Sequence, residues 1–209
     1  ANVKVTVVDY GIGNLHSVVK ALRHEGGDVR VESTAAALRD ASRLVLPGVG
    51  AFGDGMRELT SRGILEPLLD YMRSGRPFLG ICLGMQVLLE QSEEFGKHVG
   101  LGLVRGVVAE LKKAPGIKIP HVGWNSIQPP TGRSWRGTML EDVAPGTMVY
   151  FVHSFAAAPS LAGDVLCEAS YGPNRFAAAI RRENVVGCQF HPEKSGTVGL
   201  SMLRRFLTS

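Results

Sequence analysis

The chain has 209 residues, 44% hydrophobic and 20% charged, with 26 glycines and a net charge of +4. That length can bury a full core and makes one α/β domain, spanning 1–209, the default expectation. The basic excess is scattered rather than gathered into a stripe with interleaved aromatics, which weighs against nucleic acid, and no run approaches the ~20 apolar residues of a membrane span.

Cys82, Cys167 and Cys188 are odd in number and show neither a CxxC pair nor metal-ligand spacing. The apolar run Val3 to Val8 is broken by Lys4 and too short for a signal peptide. A reduced, cytoplasmic protein without a metal is expected.

Val3 to Asp9 is β-branched and reads as an interior parallel strand. Gly11-Ile12-Gly13 follows it, without the third glycine of a dinucleotide fingerprint, so the loop reads as a turn with Asn14 capping a helix from Leu15 to Glu25. Val29 to Glu32 is a second strand, Ala35 to Asp40 a short helix and Arg43 to Leu46 a third strand. Pro47-Gly48-Val49-Gly50 comes next; alone it is a turn, but its glycines would let peptide N–H groups face a cavity, as an oxyanion hole requires. Helices are predicted over Phe52–Leu59 and Ile64–Ser74.

Phe78 to Ile81 then reads as a buried strand and Leu83 to Gln91 as an amphipathic helix, with Cys82 between them and glycines at 80 and 84. This is the G-x-nucleophile-x-G elbow with cysteine in place of serine, a turn too tight for side chains beside the nucleophile. A helix N-terminus there would favour thiolate. The competing reading of Cys82 is a small buried hydrophobe.

An acidic stretch, Glu90 to Glu94, reads as a solvated helix end. Leu103 to Lys113 reads as a strand that bends or pairs antiparallel, Pro129 to Arg136 as a polar connection, and Met148 to His153 as another strand. Val165–Ser170 and Phe176–Arg181 form a hairpin around Tyr171–Asn174, Val185 to Phe190 a last buried strand, and Gly199 to Leu207 a closing helix.

A cysteine on an elbow needs a base that can also return the proton to a leaving group, and histidine suits both roles. Of six histidines, His16 and His24 lie in the first helix, His98 in a loop, and His121 and His153 are possible site neighbours. Only His191 stands just past a buried strand with a carboxylate, Glu193, two residues on across a stiffening proline. A Cys82–His191–Glu193 triad follows, with the Leu83 N–H and the Gly48, Val49 and Gly50 backbone as oxyanion donors. Such a set attacks an amide or thioester carbonyl and hydrolyses the acyl-cysteine.

Gly80-Ile81-Cys82-Leu83-Gly84-Met85-Gln86 together with His191-Pro192-Glu193 resembles the class I, triad-type glutamine amidotransferases. Asp9 to Leu15, His121-Val122-Gly123-Trp124-Asn125, Tyr150 to Ser154 and His191 to Gly196 extend the resemblance along the whole chain, toward the glutaminase subunits of histidine biosynthesis. The resemblance implies a flavodoxin-like three-layer sandwich, with a mostly parallel central sheet and antiparallel additions. It implies glutamine as substrate, no cofactor, and ammonia passed through a tunnel to a (β/α)8-barrel cyclase subunit in a heterodimer, which makes imidazole glycerol phosphate. It makes Gln86, Glu94, Ser154 and Phe155 glutamine-binding positions, and puts Asn14, Trp124, Tyr150 and Lys194 at the cyclase interface. It also implies an oxyanion strand that changes conformation when the cyclase binds its ligand. A different amidotransferase of the class, or a silent binding subunit on the same fold, is the alternative.

Overall fold

The computed structural model describes residues 2–209. In its first half β1 (Val3–Val8), α1 (Leu15–His24), β2 (Gly27–Glu32), α2 (Ala35–Asp40) and β3 (Leu44–Leu46) alternate as the sequence predicts. Asn14 caps α1 by accepting the His16 N–H at 3.1 Å, and Thr34 caps α2 by accepting from Ala37. Two more helices, α3 (Phe52–Ser61) and α4 (Leu65–Arg73), lead into β4 (Phe78–Ile81) and a single-turn α5 (Leu83–Gln86).

The expected helix to Gln91 is a correction. Every side chain from Leu83 to Leu89 is buried, so the segment has no polar face to offer solvent. Its carbonyls are taken instead by the returning chain: Leu101 N–H donates to Val87 and Val104 N–H to Leu88. The acidic stretch is therefore not a helix end; part of it is β5 (Leu89–Ser92), followed by β6 (His98–Val99) and β7 (Val104–Glu110).

The second half is β8 (His121–Ser126), β9 (Met148–His153), β10 (Phe155–Pro159), β11 (Val165–Tyr171), β12 (Asn174–Arg182), β13 (Val185–Cys188) and α6 (Gly196–Leu207). The predicted hairpin is β11–β12. The last strand stops two residues earlier than expected, and the closing helix starts three residues earlier. Neither β8 nor β10 is foreseen as a strand; both are short and depend on partners distant in sequence.

Strands β2-β1-β3-β4-β13 run parallel in that order, the 2-1-3-4-5 sequence of a flavodoxin-like sheet. Antiparallel pairing of β12 on β13 and of β10 on β12 extends the same sheet to β7, β5 and β6. One apolar layer packs Val18 and Leu22 of α1 with Met202, Leu203 and Phe206 of α6, and another gathers residues of α2, α3 and α4, including Leu38, Leu59 and Leu68. Three layers result. The topology reverses at β1 and β3, whose carboxyl ends carry the Gly11–Asn14 and Pro47–Gly50 loops beside the end of β4. In open α/β sheets this is where ligands bind. A separate two-stranded sheet, β8–β9, stands beside that edge.

Candidate active site

Cys82 sits at φ 56°, ψ −109°, a conformation that a side chain adopts only under strain. What enforces it is close packing on both sides. A Cβ on Gly80 would run into the Gly84 carbonyl, and one on Gly84 into the Leu46 carbonyl, so both flanking positions need glycine. The Cys82 N–H is tied to the Cys188 carbonyl at 2.7 Å, across to β13.

β13 delivers the second group. His191 follows it, and the His-Pro-Glu turn is pinned to β9: His191 N–H donates to the Tyr150 carbonyl, and the Ser195 hydroxyl donates to the His191 carbonyl while accepting the Tyr150 N–H. Glu193 turns back to meet His191 Nδ1 at 2.5 Å, with both side chains almost wholly buried. Burial pushes the imidazole down, but hydrogen bonding and charge from Cys82 and Glu193 outweigh it and raise His191 to about 9. Its Nε2 has no nitrogen or oxygen partner. It is the ring nitrogen left for the thiol.

The four-residue α5 contributes little dipole at the sulfur. Instead Gln189 Nε2 approaches Cys82 Sγ at 3.6 Å. Gln189 is fully buried and its amide oxygen accepts from Gln86 Nε2 at 2.9 Å. Sequence reading passed it over because a glutamine inside a buried strand end carries no spacing signal.

A cleft of about 510 Å³ opens in front of Cys82. Val49, Gly50, Gln86, Glu94, Ser154 and Phe155 all line it, so most of the expected oxyanion and substrate positions converge. Phe95, Pro120, Val152 and His153 also line it and were not foreseen as substrate contacts. Burial raises the Glu94 carboxyl above its ordinary value, offset in part by the Phe52 N–H it accepts at 3.2 Å.

The oxyanion side differs from the expectation in one respect. Leu83 N–H is not open to the cleft; it donates to the Gly48 carbonyl at 3.0 Å. Gly48 itself is buried, whereas Val49 and Gly50 are exposed.

Of the positions assigned to a partner, Trp124 is 52% exposed and meets the half-buried Tyr150 edge-to-face, with ring centroids 6.1 Å apart. The strand register puts Val122, Trp124, Met148, Tyr150 and Val152 on one face of the β8–β9 sheet. Asn14 and Lys194 are exposed, the former with its side-chain oxygen engaged in the helix cap. Among the described residues no group of His, Cys, Asp and Glu is arranged to hold a metal, and no helix is long and apolar enough to cross a membrane.

A cysteine on a strained elbow and a buried His–Glu pair stand together at the ligand-binding edge of a flavodoxin-like sheet, an arrangement suited to hydrolytic chemistry. Residues 6–209 match the family model of class I glutamine amidotransferases, and the chain belongs to that family. It is 48% identical to imidazole glycerol phosphate synthase subunit HisH 1 of Legionella pneumophila (strain Lens), over 97% of this chain and 98% of that one. It is 46% identical to the chloroplastic imidazole glycerol phosphate synthase hisHF of Arabidopsis thaliana, over 97% of this chain and 34% of the relative. Among solved structures PurLQS from Thermotoga maritima superimposes with a TM-score of 0.75 at 19% identity, covering 100% of this chain and 99% of that one, a likeness of fold.

Proposed function

We propose that this chain, as one class I domain over 1–209, is the glutaminase subunit of an imidazole glycerol phosphate synthase. The observation that carries the chemistry is the buried Cys82–His191–Glu193 grouping at a cleft walled by Gln86 and Glu94; near-full-length identity to HisH subunits supports the particular synthase.

In this reading the Cys82 sulfur attacks the side-chain amide carbonyl of glutamine. His191 Nε2 takes up the thiol proton as the carbon–sulfur bond forms, is held as imidazolium by Glu193, and gives that proton to the departing nitrogen, and ammonia leaves. The γ-glutamyl thioester is then opened by water whose proton passes to His191 and on to the departing sulfur, giving glutamate and the free thiol. The Glu94 carboxylate suits the substrate's ammonium group, and Ser154 and Phe155 supply backbone contacts.

The oxyanion donors complete the reading. With Leu83 N–H held by the Gly48 carbonyl, the tetrahedral oxyanion has no donor there. Rotation of the Gly48–Val49 peptide would release Leu83 and turn the Val49 N–H inward, which supports a resting state that a partner switches on.

The partner is a (β/α)8-barrel cyclase subunit, docked in a heterodimer through Asn14, Trp124, Tyr150 and Lys194. The exposed apolar face around Trp124, Val122 and Met148 supports a protein contact there. The Arabidopsis synthase, matched over 34% of its length, leaves room for a second unit on the same polypeptide. A soluble, cytoplasmic heterodimer is the expected form.

The test is glutamate release from glutamine by the chain alone, with the cyclase subunit, and with cyclase plus imidazole glycerol phosphate. Negligible turnover alone, rising sharply only in the third mixture, is expected. High turnover alone points to an ungated amidotransferase of another pathway, and none in any mixture overturns the glutaminase reading.

A further inference from the structure

Behind the cleft runs a chain of buried hydrogen bonds whose direction is fixed from one end. The Phe155 carbonyl can only accept, so His153 Nδ1, 2.9 Å away, carries its proton. Burial pushes His121 and His153 down to about 4 each, so both rings are neutral near pH 7. His153 Nε2 is therefore a bare acceptor, and His121 Nδ1 donates to it at 2.9 Å. His121 Nε2 in turn accepts from the Asn125 amide at 3.4 Å, and that same nitrogen is held by the Ser170 carbonyl at 2.7 Å.

Forward of Phe155 the chain continues. The Phe155 carbonyl also accepts from Gln86 Nε2 at 3.1 Å, whose other N–H goes to Gln189 Oε1, and Gln189 Nε2 points at the Cys82 sulfur. His121, His153, Gln86 and Gln189 are all buried. Reversing any one amide or ring would set donor against donor or acceptor against acceptor, and buried polar chains are strong only when every member is satisfied. With both N–H groups of Gln86 committed, the atom left to face the cleft is its amide oxygen, an acceptor suited to a substrate that brings N–H donors.

Resting on the glutaminase reading, we propose that His121 and His153 are positioning residues for glutamine hydrolysis: by fixing the Phe155 carbonyl they fix the orientation of the Gln86 and Gln189 amides toward substrate and sulfur. Trp124 lies between His121 and Asn125 on β8 but on the opposite face, so the chain is buried behind the surface assigned to the partner.

The experiment is steady-state glutaminase kinetics of the chain with saturating cyclase and imidazole glycerol phosphate, with melting temperatures measured alongside. His121→Phe keeps the ring stacked between Phe151 and Tyr171 but cannot donate; His121→Asn loses the ring but returns an N–H near the Nδ1 position. In the first the KM for glutamine rises about tenfold, the scale of one buried hydrogen bond, with kcat and partner affinity little changed. In the second KM returns toward the parent value even where the melting temperature does not. An unchanged KM in His121→Phe overturns the proposal, as does an equal rise in both variants. Should His121→Phe fail to fold, the half-buried Asn125→Ala raises KM in the same sense, and its failure to do so is equally fatal. The parent protein and Cys82→Ser, run together, separate the two ideas. Parent turnover lost in Cys82→Ser with an unmoved His121→Phe sinks the histidine chain alone, whereas absence of parent turnover sinks the glutaminase reading and this proposal with it.

Discussion

Glu193→Gln bears on the proposed chemistry most directly. Glu193 Oε1 lies 2.5 Å from His191 Nδ1, with the two side chains 3% and 4% exposed, so solvent screens the pair very little. Burial by itself lowers His191; the contacts with Cys82 and Glu193 reverse that and carry it from 6.5 to about 9. At about 1.4 kcal/mol per tenfold, the difference is worth about 3 kcal/mol in favour of the imidazolium. The substituted amide would keep an acceptor for Nδ1–H but remove the charge, leaving Cys82 to oppose burial alone. Loss of about half of that energy in the transition state gives a kcat lower by about 10-fold.

The pH dependence follows with a definite sign. A histidine raised in the folded state contributes stability that is full below its unfolded value of 6.5 and is lost as pH rises through about 9. The stability advantage of the parent over Glu193→Gln should therefore be greatest near pH 6 and shrink as pH rises through about 9. The alkaline fall in parent glutaminase turnover should lie near 9, where His191 loses its proton, and should move to lower pH in the variant. Glutamate release across pH with cyclase and its ligand present, and urea unfolding at the two extremes, measure both. A variant with parent-like kcat and an unshifted alkaline limb refutes the assignment of Glu193 as the group that sustains the imidazolium.

Three other substitutions probe separate parts of the molecule. Cys82→Ser should abolish glutamine hydrolysis while leaving assembly with the cyclase intact, and retained turnover would remove Cys82 from the mechanism. Trp124→Ala deletes a side chain that is half solvent-exposed in this chain; it should weaken partner affinity by more than ~1 kcal/mol in a titration, and an unchanged affinity would show that the ring serves the fold. Gly84→Ala drives a methyl into the Leu46 carbonyl. It should cost about 2 kcal/mol or more and lower Tm by about 4–8 °C; an undisturbed Tm would mean that the elbow is less tightly packed than its geometry requires.

The elbow, the His-Pro-Glu turn and the first βα units were legible in the sequence because their determinants are local. Gly80, Cys82 and Gly84 specify a turn by steric exclusion within a short stretch of chain, and His191 and Glu193 are joined by a stiff link through Pro192. Val5 to Val8 is an unbroken β-branched run that suits an interior strand, with the exposed Lys4 at its start. The segment after Gln86 was misread because continuous burial, not a helical period, governs it, and its backbone partners lie at Gly100 to Val104. β8 and β10 owe their form to pairing with distant strands, which local propensity does not encode.

Long-range packing decided the state of the site as well. Leu83 N–H is held by Gly48, Gln189 reaches a sulfur 107 positions away in the chain, and His121 passes its proton direction to His153 across 32 positions. Each depends on where the sheet sets two backbones side by side. The residue types chose the chemistry through short-range sterics and ordinary acid–base character; the tertiary fold chose which donors are free, because hydrogen-bond partners are assigned by distance in space.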